Sequence, residues 1–312
     1  MSRWSLRNVP FRFQLGDMSL MTIALALQVR AERLIDDTPA VEAPLADASE
    51  LAQGSAGFLV RGMPISASLP AISASGDYLC YVPQHYQHCY IDLNSSFETY
   101  QKKFSSKTRS TINRKLKKFT EHSGGTIAWT TYRDPADIPG FFALAGKLSK
   151  STYQDRLLDA GLPDTPEFIA QACQLAARDQ LRAYILFHGE RPVSYLYCPV
   201  EDGVLSYSYV GYHPDYMNLS VGTVLQWLAV EQLFNEGKFR YFDFTEGQSD
   251  HKRLFATHQR ECGNVYLIKR TLGRSALVRC HHAMNRLSTK LGILMERYGL
   301  KARIKRLLRF AR

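Results

Sequence analysis

Apolar positions recur along this chain in two rhythms. Over residues 11–29, "FRFQLGDMSLMTIALALQV" runs as two apolar stretches around Gly16 and Asp17. That punctuation predicts two strands joined as a hairpin. Residues 36–75 lose periodicity and are rich in Ala, Pro, Ser and Gly, which predicts a loose connector with short strands such as "GFLVRGM". From Phe97 the spacing changes to three and four. Phe97, Tyr100, Phe104, Thr108, Ile112, Leu116 and Phe119 share one face of a single long helix over residues 96–119. Gly124 and Gly125 stop it, and "TIAWTTY" follows as a strand. "IPGFFALAGKLSKSTYQDRLLDAG" predicts a second amphipathic helix, and "PEFIAQACQLAARDQ" a third that opens on Pro166 and Glu167.

Residues 181–214 then give three β-rich runs with turns at 188–191 and 201–203, hence two successive hairpins. The third run, a strand over residues 205–210, breaks at Gly211 and loops through His213 and Pro214. "VGTVLQWLAVEQLFNEGK" is a helix ended by Gly237, and "FRYFDF" is a strand. The order is helix, strand, helices, three antiparallel strands, helix, strand, which is a mixed α/β layer fold.

Composition changes this picture little. At 312 residues the chain can form one large core or two small ones, and 45% hydrophobic with 22% charged residues excludes wholesale disorder. Charge changes it more. Of 39 Lys and Arg, thirteen lie from Lys269 onward, against the single acid Glu296, so the preceding chain is near neutral. A nucleic-acid protein throughout is thereby excluded. In the tail, Leu287, Leu291, Leu294, Met295, Tyr298, Ile304, Leu307 and Leu308 form an apolar stripe opposite Lys and Arg. Such a helix can lie on an anionic membrane, dock on the body of the protein, or meet nucleic acid. The basic residues of 96–119 (Lys102, Lys103, Lys107, Arg109, Arg114, Lys115, Lys117, Lys118) are either a solvated face or a polyanion site.

The six cysteines form no C-x-x-C pair, which suits reduced, buried thiols in a cytoplasmic protein. "CYVPQHYQHC" gathers Cys80, His85, His88 and Cys89 without the paired spacing of a zinc site, so no metal is expected. No stretch reaches the ~18–20 continuous apolar residues of a membrane span. Residues 18–29 have the look of a signal-peptide core, but the hairpin pattern accounts for them better.

Two stretches carry candidate chemistry. Ser220, Val221, Gly222 and Thr223 open a helix after a strand and a loop, where unpartnered amides and the helix dipole attract phosphate. Gly222 lets a ligand come close to the backbone; an ordinary Ser-capped helix is the alternative. "YFDFTEGQSDHKRLF" sets Asp243, Glu246, Asp250, His251 and Lys252 within ten positions, either at the mouth of a pocket or in a solvated turn. The chain has no G-x-S-x-G elbow, zinc signature or Walker loop, which argues against hydrolases and kinases.

Taken with "FSSKTRSTINRKLKKF", "LSKSTYQ", "LRAYILFHGERPVSY" and "GYHPDYMNLSVGTVL", these stretches resemble the GNAT acyltransferase superfamily over about residues 97–269. More closely, they resemble the CelD-like acetyltransferases found with bacterial cellulose and exopolysaccharide genes, which are related to the Fem-type aminoacyl ligases. The resemblance implies a mostly antiparallel sheet flanked by helices, with a shortened N-terminal half over residues 1–95. It places the transferase domain at 96–270 and leaves a basic amphipathic helix at 271–312. It implies acyl-CoA, most simply acetyl-CoA, as co-substrate, held by Val210, Gly211, Ser220, Val221, Gly222 and Thr223. The superfamily's R/Q-x-x-G-x-G-A/G motif is altered here: Met217 takes the Arg/Gln place, Ser220 the first glycine and Thr223 the last position. The family's D-F-x-x-G-x-x-x-Y-K pattern is met by Asp243, Phe244, Gly247 and Lys252, with His251 replacing Tyr. Asp243, Glu246, His251 and Lys252 are thus the implied catalytic group, and a loop-bracing ion pair of Asp243 with Lys252 is the alternative. Tyr153, Gln154 and Tyr209 would line the acceptor side, although Tyr153 could equally pack under a helix. The implied acceptor is an amine or hydroxyl of a sugar, polysaccharide or envelope precursor. An aminoacyl-tRNA-dependent ligase and a non-catalytic membrane-peripheral protein remain the other readings.

Overall fold

The computed structural model describes residues 4–297 apart from 17, 33, 35–38, 43, 45–47, 151–160 and 248. Strands β1 (Ser5–Leu15), β2 (Met18–Ala31), β3 (Gly57–Pro64), β4 (Ile72–Ser75) and β5 (Tyr78–Tyr81) come first. Next are β6 (His85–Asp92), helices α1 (Phe97–Lys102) and α2 (Ser106–His122), and β7 (Ala128–Tyr132). Helices α3 (Ile138–Lys150) and α4 (Pro166–Ala177) lead to β8 (Leu181–His188), β9 (Arg191–Glu201), β10 (Val204–Ser206) and β11 (Tyr209–Tyr212). Then come α5 (Val221–Glu236), β12 (Tyr241–Asp243), α6 (Asp250–Phe255), β13 (His258–Lys269) and α7 (Leu272–Arg297). They divide into two compact units, Met1–Gln87 with Arg260–Arg312, and His88–Gln259. No described helix is long and apolar enough to cross a membrane.

In the first unit β1 and β2 pair antiparallel, Phe11 opposite Ile23, as the hairpin pattern requires. β3 runs parallel to β2 and antiparallel to β13. Gly57 permits that last pairing: its φ is +149°, and a Cβ there would stand 2.1 Å from the Leu267 carbonyl oxygen. Val278 of α7 joins Val9, Phe11 and Leu27 in this unit's core.

The second unit is built on the strand order β6-β12-β10-β9-β8-β7, with β11 also on β9. All its pairings are antiparallel except β10 with β12. Alternation along β9 sends Leu196 and Cys198 to one face, under α1, α2 and α5, and Tyr195 and Tyr197 to the other, under α3 and α4. The expected mixed α/β layering, mostly antiparallel with helices on both faces, is what the fold shows. Arg182 of β8 is fully buried and binds Glu236 at 2.8 Å and Asp179 at 2.7 Å, fastening the sheet to the end of α5.

Two local expectations need correction. The predicted long helix is two helices, because Ser96 and Ser105 each cap a start by accepting from the amides of Thr99 (3.1 Å) and Thr108 (3.2 Å). Between them, Lys103 reaches the carbonyls of Leu254 (2.8 Å) and Ala256 (2.6 Å) at the end of α6. The third β run is also split: β10 pairs with β12, whereas β11 keeps only β9 and continues through Gly211 to Tyr212. Residues after β12, for which the sequence left a pocket mouth and a solvated turn open, form the short helix α6, capped by Ser249 on the amide of Lys252.

Candidate functional site

The break between β10 and β11 opens the site. The last bond of the parallel pair runs from the Tyr207 amide to the Asp243 carbonyl at 2.8 Å, and beyond it the two strands part. A cleft of about 530 Å³ lies there. Of the residues expected to hold a cofactor, Val210, Gly211, Ser220, Val221, Gly222 and Thr223 all line it, and His251 joins them. Tyr207, Tyr212, Pro214 and Met217 complete the wall.

Helix α5 points its start into this space. Ser220 has φ +55° and ψ 35°, a left-handed conformation that costs a non-glycine residue roughly 1–2 kcal/mol. Its side chain makes no capping bond. Its carbonyl receives the amides of Thr223 (2.9 Å) and Val224 (3.1 Å), so the turn closes while the amides of Val221 and Gly222 precede the helical bonding. A Cβ on Gly222 would touch only Tyr212, at 3.6 Å, so packing does not demand glycine here. The donor set suits a diphosphate: early helix amides, the Ser220 and Thr223 hydroxyls, and positive dipole. The basic face of α2 adds charge, with Lys118 donating to the Asn218 carbonyl just before α5 at 3.1 Å.

His251 faces the cleft from α6. Its Nε2 meets Oε1 of Gln226 at 2.5 Å, and its ring rests on Phe255 at 4.9 Å. With Oε1 accepting, the proton sits on Nε2 and Nδ1 keeps its lone pair. Burial first, then Lys115 and Lys252, hold this imidazole below its ordinary value, so it is neutral at physiological pH. Gln226 is 1% exposed on the inner side of α5, and its Nε2 has no partner among the described residues.

The other implied catalytic residues sit beside the cleft without lining it. Asp243 is buried at the end of β12 and accepts from the amide of Thr245 at 2.7 Å. His88 Nε2 bonds the same carboxylate oxygen at 2.5 Å. Lys252 donates to the carbonyls of Glu246 (2.7 Å) and Gly247 (3.4 Å). Burial lowers its ammonium, and Asp243, Cys89 and Glu246 oppose that. Among the described contacts, Asp243 and Lys252 brace the two ends of the 243–247 loop and do not pair with each other. Tyr209 turns to the opposite layer, edge-on to Phe168 and Tyr197. Tyr153 and Gln154 lie outside the described residues.

Sequence reasoning missed Gln226, Tyr207 and the partner of Asp243. The signal for Gln226 was one amide in the apolar run "VLQWLAV". His88, which the sequence offers only within the loose Cys and His cluster of residues 80–89, bonds Asp243; among the described residues no metal-binding group of His, Cys, Asp and Glu forms.

Residues 106–253 match the family described as acetyltransferase (GNAT) domain, so the protein carries an acyltransferase domain. No curated protein matches the sequence. Among solved structures, the chain resembles FemX at 10% identity and TM-score 0.50, over 88% of this chain and 90% of that one. It also resembles L-PGS from Bacillus licheniformis, at 12% identity and TM-score 0.40 over 66% and 67% of the two chains. A third likeness is an aminoglycoside acetyltransferase from an uncultured soil metagenomic sample in complex with sisomicin. There the identity is 14% and the TM-score 0.31, over 41% of this chain and 84% of that one. The FemX likeness bears on the fold.

Proposed function

We propose that this protein transfers an acyl group, in the first instance acetyl, from coenzyme A to an amine or hydroxyl of a sugar, polysaccharide or envelope precursor. The CelD-like acetyltransferases are the group it would join. The observation that carries the reading is the uncapped start of α5 opening into a cleft that also presents a neutral imidazole. The diphosphate would rest on the amides of Val221 and Gly222, with Ser220, Thr223 and the charge of α2 in support. Thioesters need little covalent help, and orientation alone is worth up to ~7–11 kcal/mol. His251 Nδ1 would take the proton as the acceptor attacks the carbonyl, a role worth about 10²–10⁴ in rate. Tyr207, whose phenol burial keeps protonated, would return a proton to the departing sulfur.

Thiol release from acetyl-CoA, measured with a panel of amino sugars and polysaccharide fragments, tests this reading. Saturable, acceptor-dependent release supports it, and no release with several acyl thioesters removes it. The second reading, an aminoacyl-tRNA-dependent ligase of the Fem type, draws on the extent of the likeness to FemX. Transfer of labelled amino acid from charged tRNA, with no thioester turnover, would select it.

A further inference from the structure

We infer that the free end of the β1–β2 hairpin, together with the adjoining stretch of α7, docks on an anionic lipid bilayer. Large apolar side chains left in solvent gather there: Leu15 (36% exposed), Met18 (63%), Leu20 (54%) and Met21 (50%) on the hairpin, Leu287 and Leu294 (49% each) on α7. Singly exposed apolar residues are ordinary on a surface, but a group on one loop tip and the helix beside it marks an interaction site. A register shift produces the tip. Phe13 pairs with Met21 and Gln14 with Ser19, so Leu20 drops out of the ladder and two consecutive apolar residues are exposed.

Hairpin and helix are tied at this end. The Gly16 amide donates to Ser288 Oγ at 2.9 Å, and Phe13 meets the His281 ring edge-on at 5.3 Å. Since Ser288 stands at the tip, the helix continues past it to Arg297, roughly 13 Å further at 1.5 Å per residue.

Charge selects the occupant. Arg279, Arg286 and Lys290 are exposed on α7, and from Lys269 onward thirteen basic residues face one acid. A second copy of the chain would bring like charges together. An anionic bilayer neutralises them, each basic residue near the surface strengthening binding about fivefold. An apolar wedge plus a basic patch supplies the two signals that stable peripheral attachment requires. This surface is independent of the acyl-transfer reading, and its test needs no thioester.

The test is flotation of the full chain with vesicles of phosphatidylcholine alone or mixed with phosphatidylglycerol, alongside light scattering for mass. The wild type should float only with phosphatidylglycerol and be released by high salt. The triple change Met18→Ser, Leu20→Ser, Met21→Ser, and separately Arg286→Gln with Lys290→Gln, should each lower binding roughly tenfold or more while leaving the melting midpoint in place. Equal binding to neutral vesicles, or undiminished binding by the triple variant, overturns the proposal. So does a wild-type dimer that the triple variant converts to monomer with no change in flotation. Should the triple variant melt early, Met18→Trp serves in its place: brominated phosphatidylglycerol should quench its emission, and absence of quenching is contrary.

Discussion

Thr165 turns its hydroxyl back on to the amide of Phe168 and closes the start of α4, whereas Ser220 leaves the start of α5 open. Both helices follow a loop, and each has a hydroxyl residue at the cap. The difference is conformational. Thr165 is extended (φ −75°, ψ 148°), the geometry from which a side chain reaches the helix amides. Ser220 is left-handed, following directly on the turn that runs from Pro214 to Leu219. A cap that serves stability occupies the amides, and a cap that serves binding must leave them free. The unit tolerates the open end because α5 is otherwise held by burial, from Val221 and Val224 to Leu233 and Phe234.

The largest expected effect comes from closing α5 deliberately. Gly222→Asp places a carboxylate where the diphosphate would sit, at a position with room for a side chain. Losing two or more charge-assisted bonds predicts a fall of about 10²-fold or more in kcat/KM for acetyl-CoA. A carboxylate in the first turn is favourable to the helix, so the melting midpoint should hold or rise. A variant that loses activity by unfolding would show the opposite in a melt.

Next in size is the acid limb of the pH profile. His251 must be neutral to accept a proton, and its folded-state value lies below the ordinary 6.5. Turnover should therefore rise with pH through that depressed value and be level at neutrality. Lys115→Gln removes one of the depressing charges and should move the limb to higher pH. The same sign governs stability: the contribution of His251 is complete above 6.5 and is lost as pH falls, because the unfolded chain then binds the proton more readily. Acid titrations of turnover and of melting, wild type against variant, check both.

Smaller effects separate the two helix starts by sign. Thr165→Ala should destabilise by about 1 kcal/mol in denaturant titration and leave turnover alone. Ser220→Gly relieves a left-handed non-glycine residue and should be neutral or stabilising by up to about 1 kcal/mol. Equal losses from the two changes would mean that Ser220 caps its helix after all.

Much of this architecture is legible in the sequence because local pattern and packing agree. The β1–β2 hairpin, β8 and β9, and the amphipathic α3 and α4 all follow period and punctuation. The break at Lys103–Ser105 is hidden because the apolar spacing runs unbroken through Phe104, and the carbonyls that Lys103 meets there lie some 150 residues away in the sequence. Within the site, Val210, Gly211 and residues 220–223 were readable as a run, since one strand-loop-helix step delivers them together. Gln226 and His88 were not, because each acquires meaning only from a partner brought by the fold, His251 in one case and Asp243 in the other. A buried amide in an apolar helix is a signal that sequence gives without saying which group it serves.

Calorimetric titration tests most directly whether the start of α5 grips a diphosphate. Coenzyme A should bind the wild-type protein saturably, pantetheine, which lacks the diphosphate, should bind far more weakly, and Gly222→Asp should abolish the difference between them. Equal binding of the two ligands, or undiminished coenzyme A binding by Gly222→Asp, would contradict it.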